Sequence, residues 1–169
     1  FAPGAFTGGY ANDYWNPGPR GMAIDYDGNL WCGTWGTMKY YYINGVTGAI
    51  QATNDVSTPV PHHPYGALID SHGKLWSSGY HDAMSVNNVL CLDPATGSTT
   101  NINLGHRTYG LGIDHNDHHF VARYDSSVLT RLNVVTFDRD WTVPAPYQTR
   151  GVAVTDDGDV WTANSGPGT

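Results

Sequence analysis

The chain has 169 residues and a formal net charge of −7, because eight Lys and Arg oppose fifteen acidic residues. All fifteen acids are Asp, and Gly (21) and Pro (10) are frequent, so the composition indicates an all-β chain rich in turns and excludes helical bundles and Rossmann-type folds. The few scattered Lys and Arg argue against a nucleic-acid partner, and no apolar run reaches the about 18 residues of a membrane span.

Four segments of the chain repeat one pattern at near-constant spacing. Each has a short apolar strand, a turn built from Asp, Asn and Gly, and a second strand that closes on an aromatic residue. This is the sequence pattern of a β-hairpin. The segments are 20–31, 65–76, 109–120 and 150–161, and their first glycines, Gly21, Gly66, Gly110 and Gly151, lie 45, 44 and 41 residues apart.

Two further strands follow the hairpin in each period. The pattern predicts a third strand over 39–44, 89–93 and 129–133, and a fourth over 49–53 and 98–104. Four strands per about 40–45 residues is the period of a β-propeller blade. Because a lone blade cannot bury both of its faces, we expect four-stranded antiparallel blades stacked around an axis.

The number of repeats predicts an incomplete ring. Residues 20–161 hold three full blades and the first hairpin of a fourth, and residues 1–19 are expected to supply outer strands of a preceding blade. Propellers close with about four to eight blades. We therefore expect residues 1–169 to form one partial domain, about half a ring. The remainder would come from another chain, a symmetric copy or a continuation of the polypeptide.

The repeat resembles a known family of propellers. The pattern Pro64-x-Gly66-x-x-x-Asp70-x-x-Gly73-x-Leu75-Trp76, with its three echoes, is similar to the repeats of streptogramin (virginiamycin B) lyase-like and NHL-type propellers. The resemblance implies that the strand after each repeat glycine lines a central channel. It also implies that two sets of loops surround one end of that channel, which we call the mouth.

This arrangement predicts a metal site or exposed loop histidines at the mouth. Neutral imidazole binds Zn and Cu, and an aspartate could complete the shell. The candidate ligands are His62, His63, His81, Asp82 and His106. The other four histidines, His72, His115, His118 and His119, fall on or beside turns at the opposite end. The row Asp25, Asp70 and Asp114 is a candidate for Ca in the channel, and the alternative is that these residues serve turns.

Aromatic residues near the mouth suggest a second kind of ligand. Flat rings beside polar donors suit carbohydrates or aromatic small molecules, and the alternative is that the rings pack between blades. The candidates are Trp35, Tyr65, Tyr80, Arg107, Tyr109 and Tyr124, with Trp15 nearby. Four aromatic residues recur at one repeat position and are expected in the core: Trp31, Trp76, Phe120 and Trp161.

The resemblance also tests for lyase activity. The resemblance implies a catalytic pattern in which a His stands at the entry to the first strand of a repeat and a Glu stands at the exit from the second. In this chain the His position holds Arg20, Tyr65, Tyr109 and Arg150, and the Glu position holds Thr34, Gly79, Arg123 and Asn164. Elimination needs an acid and a base, so we expect such chemistry only if the neighbouring His62, His63 or His106 substitute, or if other blades supply the pair.

Three functions follow from these observations. The leading one is an extracytoplasmic binding or interaction module, and the alternatives are a lyase-like enzyme and a purely structural surface domain. Export, to the extracellular space or periplasm, is inferred from the scarcity of Lys, the lack of Glu and the opening Phe1. Cys32 and Cys91 sit in apolar strands, which predicts two buried free thiols or, in an exported chain, a disulfide.

Overall fold

The computed structural model describes residues 18–79, 88–125 and 127–166, and these form fourteen antiparallel β-strands. Blade 1 contains β1 (Pro19–Ile24), β2 (Leu30–Thr34), β3 (Lys39–Ile43) and β4 (Ile50–Asp55). Blade 2 contains β5 (Pro64–Ile69), β6 (Leu75–Gly79), β7 (Asn88–Leu92) and β8 (Thr99–Asn103). Blade 3 contains β9 (Thr108–Ile113), β10 (His119–Arg123), β11 (Val128–Leu132) and β12 (Arg139–Pro144), and blade 4 contains β13 (Gln148–Val154) and β14 (Val160–Ser165).

In every sheet the strands pair in chain order, so each blade is a simple meander. The predicted all-β propeller with four-stranded blades is confirmed, and the predicted strands agree with the observed ones to within two residues at either end. The expected outer strands within residues 1–19 fall almost wholly outside the described residues. None of the described residues forms a helix that could cross a lipid bilayer.

The hairpin turns explain the repeated aspartates. Asp25 Oδ1 accepts hydrogen bonds from the backbone N–H groups of Asp27 and Asn29, at 3.0 and 2.8 Å. Asp70 and Asp114 accept the same pair of bonds, from the residues two and four positions later. These side chains therefore close the turn locally, as short polar residues commonly do. The turns lie at the end of the inner strands opposite the mouth.

The repeat glycine marks the contact between neighbouring inner strands. Strands β1, β5, β9 and β13 lie side by side. A Cβ added at Gly66 would meet the carbonyl oxygen of Tyr109 at 3.1 Å, and one at Gly110 would collide with the backbone of Arg150. Only a residue without a side chain permits this approach. The repeat glycines thus begin equivalent inner strands, as the sequence predicts.

Aromatic residues on the second strand form the core between blades. Trp31 of blade 1 clusters with Leu75 and Leu92 of blade 2. Trp76 occupies the equivalent position in blade 2, where its ring centroid lies 4.1 Å from that of His119 in blade 3. Trp31 and Trp76 are 3% and 1% exposed. Each aromatic side chain therefore fills a socket on the next blade.

The prediction that Trp161 belongs to the core is wrong. Its side chain is 67% exposed, although Phe120 at the equivalent position is 4% exposed. The reason is that no described blade follows blade 4 to provide a socket. The opposite end of the arc has the complementary feature, a cleft of about 240 Å³ lined partly by Leu30 and Ile43. Leu30 and Ile43 pair in the same register as Leu75 and Leu92, so this cleft is the equivalent socket on blade 1.

The two cysteines are free and buried. They lie on neighbouring blades, Cys32 in β2 and Cys91 in β7. Burial raises the pKa of each thiol to about 11. Of the two predicted alternatives, the structure has the pair of buried thiols.

Candidate functional site

A row of large side chains crosses the mouth, one from each inner strand. The residue before each repeat glycine points to this row, and neighbouring blades bring the four positions together. We call the row, with the adjoining aromatic side chains, the mouth ladder. Its members are Arg20, Trp35, Tyr65, Tyr109, Tyr124 and Arg150.

Three tyrosines form the centre of the mouth ladder. The ring centroids of Tyr65 and Tyr109 are 4.4 Å apart, and their hydroxyl groups are hydrogen-bonded to each other. Tyr109 stacks on Tyr124 with centroids 5.1 Å apart and an interplanar angle of 27°. Burial and then the neighbouring Tyr109 raise the pKa of Tyr65 to about 12. The Tyr65 hydroxyl therefore stays protonated at neutral pH and keeps its hydrogen for donation.

A guanidinium group lies at each end of the mouth ladder. The Arg150 guanidinium carbon is 4.5 Å from the ring centroid of Tyr124 and 5.6 Å from that of Tyr109. The Arg20 guanidinium carbon lies 5.4 Å from the Tyr65 ring and 5.9 Å from the Trp35 ring. These distances fall within the range of cation–π attraction. The result is a continuous, half-buried strip of aromatic rings with a cation at each end.

Two further arginines stand beside this strip. Arg123 donates from Nε to Asp125 Oδ1 at 2.7 Å. The Nε of Arg107 is 4.0 Å from Asp125 Oδ2. Asp125 thus balances part of their charge. The sequence prediction included Arg107 but not Arg123 in a ligand site.

The predicted metal ligand His62 is fully buried within a directed hydrogen-bond chain. The Tyr40 hydroxyl donates to Ser77 Oγ at 2.6 Å, and Ser77 Oγ lies 2.7 Å from His62 Nε2. His62 Nδ1 is 3.2 Å from Asn88 Oδ1, which assigns the ring proton to Nδ1. Asn88 Nδ2 then donates to Asn101 Oδ1 at 2.7 Å. Both ring nitrogens of His62 are therefore engaged by protein groups.

His63 and His106 also bond to the protein instead of converging on one point. His63 Nδ1 lies 2.9 Å from the carbonyl oxygen of Trp35, and its ring packs against the Trp35 ring. His106 Nε2 lies 3.1 Å from Thr130 Oγ1 on blade 3. His62 and His106 each precede a repeat glycine by four residues, so their burial is a repeated feature of the fold. Their position four residues before the glycine was a signal for this in the sequence.

No group of three or more His, Cys, Asp or Glu side chains suited to a metal ion occurs in the described part of the chain. The remaining predicted ligands, His81 and Asp82, lie outside the described residues, as do Tyr80 and Trp15. A Zn or Cu ion at the mouth therefore stays a prediction. Asp70 Oδ2 accepts from Trp76 Nε1 at 2.8 Å. Asp25, Asp70 and Asp114 bond to their own turns, and Ca in the channel also stays a prediction.

The sequence assigned Arg20 and Arg150 no binding role. They were noted only as replacements for the lyase histidine, at the same repeat position as Tyr65 and Tyr109. Their shared place directly before the repeat glycine was the sequence signal that groups these two arginines with the two tyrosines. At the four positions of the lyase glutamate, no described side chain is a carboxylate.

Comparisons with known proteins bear on the fold alone. No protein-family model matches the chain, and no curated protein matches it in sequence. Virginiamycin B lyase from Staphylococcus aureus superposes with a TM-score of 0.74 at 16% identity, over 88% of this chain and 49% of that one. A streptogramin B lyase gives 0.74 at 17% identity, over 90% and 50%. Hydrazine synthase from Kuenenia stuttgartiensis gives 0.78 at 16% identity, over 98% and 47%.

These similarities confirm a propeller fold like that of the streptogramin lyases. The chain spans about half the length of each of these three proteins. This extent agrees with a partial propeller. Identities below one fifth carry no information about substrate or activity.

Proposed function

We propose that the chain is part of a propeller that acts as a binding module and holds a small polar ligand at the mouth. The mouth ladder carries this proposal, because it joins Arg20, Tyr65, Tyr109 and Arg150 from four successive inner strands. A ligand at a propeller mouth touches several blades at once, which suits a row of this kind. The rings offer flat apolar contacts, and the hydroxyl and guanidinium groups offer hydrogen bonds that set orientation.

Ligand-observed NMR tests the proposal with a mixture of monosaccharides and simple phenols. Wild-type chain should give saturation-transfer signals for at least one of these probes, and Tyr109→Ala should remove them. Tyr26→Ala is the matched control, because Tyr26 is an exposed tyrosine on a turn at the opposite end. Signals that persist in Tyr109→Ala, or no signals at all, would overturn a ligand site at the mouth.

The proposal extends to the rest of the ring. We propose that further propeller blades cover Trp161 at one end of the arc and the socket of Leu30 and Ile43 at the other. Another chain, a symmetric copy or a continuation of the polypeptide would each supply them, and an extracytoplasmic location fits the composition. Light scattering after gel filtration should show that the isolated chain associates, or binding of an apolar dye should show that its apolar surface is exposed. A well-folded monomer that binds no apolar dye would contradict the proposal.

The alternative is a lyase-like enzyme, which the fold shared with virginiamycin B lyase favours. Its acid and base would lie mainly in blades outside this chain, because Arg20, Tyr65, Tyr109 and Arg150 occupy the positions of the lyase histidine. Incubation with virginiamycin B, followed by chromatography for ring opening, tests the alternative. Turnover by this chain would favour the enzyme, and intact substrate would show that these blades do not hold both the acid and the base.

A further inference from the structure

The charged residues of the chain are divided between its two ends. Eleven aspartates lie on turns or strand termini at the end opposite the mouth, with only Lys74, Arg131 and Arg139 among them. These residues give that end an excess of eight negative charges. The aspartates are Asp25, Asp27, Asp70, Asp93, Asp114, Asp117, Asp138, Asp140, Asp156, Asp157 and Asp159.

The mouth end has the opposite sign. Its described charged residues are five cations and two aspartates, an excess of three positive charges. Four of the six arginines of the chain are in this set, although the protein as a whole carries a charge of −7. The cations are Arg20, Lys39, Arg107, Arg123 and Arg150, and the aspartates are Asp55 and Asp125.

The two ends act on a ligand independently. A strand of five or six residues is about 17–20 Å long, and the Debye length at physiological ionic strength is about 8 Å. The acidic turns are therefore largely screened from the mouth. A small ion approaching the mouth experiences the local arginines, not the net charge of the chain.

The charge of Arg150 lies among neutral groups. Its guanidinium carbon lies over the Tyr124 ring, 4.5 Å from the centroid, and the side chains of Tyr109 and Tyr124 also hydrogen-bond to the guanidinium. Nε donates to Ser165 Oγ at 2.5 Å and Nη2 to Gln148 Oε1 at 3.4 Å. Among the described residues no carboxylate pairs with Arg150, in contrast to Arg123 and its partner Asp125. Its charge is thus held in place by neutral groups.

The tyrosines beside Arg150 supply a flat platform. Tyr109 and Tyr124 stack on each other, and the guanidinium lies against both rings. A ligand with an aromatic ring extends this stack, and an anionic group on that ring reaches the guanidinium edge. Arginine binds planar carboxylates through two parallel hydrogen bonds, which adds directional selectivity to the charge.

We infer that the mouth ladder selects small planar anions, with an aryl carboxylate as the simplest form. This inference rests on the proposed function, since it names the class of ligand for the same site. It adds a requirement that the proposed function alone does not have. A neutral ligand of the same shape should bind much more weakly.

Isothermal titration with 4-nitrobenzoate and 4-nitrobenzamide tests this requirement, because the two probes share a ring and differ in charge. The carboxylate should bind about tenfold more tightly or better, as expected for hydrogen bonds to a charged group. Its affinity should fall as salt is raised. Arg150→Gln should remove the preference. Arg139→Gln is the control, because it removes the same charge from an exposed position at the acidic end.

The possible outcomes separate the inference from the proposed function. If both probes bind equally and Tyr109→Ala abolishes both, the ligand site stands and the selection for anions is wrong. If neither probe binds, the selection for planar aryl anions is wrong, and the saturation-transfer experiment with monosaccharides and phenols decides the ligand site by itself. A carboxylate preference that survives Arg150→Gln, or that Arg139→Gln also removes, would overturn the assignment to the mouth. Melting temperatures of the variants equal to wild type confirm that the changes act on binding.

Discussion

His119 of blade 3 occupies the position that Leu75 holds in blade 2. Each immediately precedes the aromatic residue of its second strand, and each pairs with a leucine, Leu132 or Leu92. His119 is completely buried against Trp76, and neither of its ring nitrogens has a hydrogen-bond partner among the described residues. The repeat thus places an imidazole in a socket built for an aliphatic side chain.

We predict that His119→Leu stabilises the protein. The substitution removes two buried polar atoms whose desolvation costs about 1–3 kcal/mol, and leucine is the residue of the equivalent socket. Urea unfolding should show a free energy of unfolding raised by about 1 kcal/mol or more. Leu75→His is the reverse control and should destabilise. A lower stability for His119→Leu would mean that the imidazole makes a contact that stabilises the native chain.

Stability should fall as the pH drops from about 6.5 to about 4. Burial lowers the pKa of His62 to about 3 and that of His119 to about 4, while unfolded histidine titrates near its usual 6.5. In this range the unfolded state binds protons that the folded state does not, so protonation favours unfolding. Each histidine contributes a slope of about 1.4 kcal/mol per pH unit.

Urea unfolding at several pH values measures this slope. His119→Leu should reduce it, because one of the buried histidines with a lowered pKa is then absent; burial also lowers the pKa of His106. Aspartates whose pKa is lowered in the folded chain, such as Asp114, change the free energy of unfolding mainly at pH values below the usual pKa of aspartate. The slope between pH 6.5 and pH 4.5 therefore comes mainly from the histidines. A free energy of unfolding that stays constant between pH 6.5 and pH 4.5 would show that the buried histidines are accessible to protons in the native state.

Trp76 and Trp161 should respond very differently to the same substitution. Trp76→Ala empties a filled socket between blades 2 and 3 and should cost about 3–5 kcal/mol. Trp161→Ala removes a side chain that is 67% exposed and contacts no further blade among the described residues, so it should change the stability of the isolated chain by less than about 1 kcal/mol. Equal losses from the two substitutions would show that Trp161 is covered in solution.

The strands were predictable because their signals are local. The carboxylate of Asp70 bonds to its own turn, and Gly73 in that turn has a φ of 77°, so each hairpin is specified within about ten residues. The same holds for Asp25 and Gly28. Repetition then indicated stacked blades, since the same local pattern recurred at the spacing of a blade.

The fate of the histidines was not predictable in this way. Whether His62 faces the channel or the interior depends on Ser77 and Asn88, which lie on two other strands. Trp161 was mispredicted for a different reason. Its repeat position indicates which surface such a residue usually contacts, but it does not indicate whether a further blade is present to provide that surface. Of the six members of the mouth ladder, the sequence predicted four as ligand residues and missed the two arginines. The four are Trp35, Tyr65, Tyr109 and Tyr124, and the two are Arg20 and Arg150.

The repeat glycines provide a matched test of blade stacking. Gly110→Ala places a methyl group against the backbone of Arg150, which cannot move without displacing β13. We expect it to lower the free energy of unfolding by about 1–3 kcal/mol, as for other overpacked sites.

Gly151→Ala is the control at the equivalent position of blade 4, where the added methyl meets only the Cβ of Ala163 at 3.2 Å. It should change the stability of the isolated chain by no more than about 0.5 kcal/mol, because no inner strand is described beyond β13. Urea unfolding of the two variants side by side makes the comparison. If Gly151→Ala is as damaging as Gly110→Ala, another inner strand must pack against β13 in solution, since only such a strand would bring backbone atoms to that methyl group.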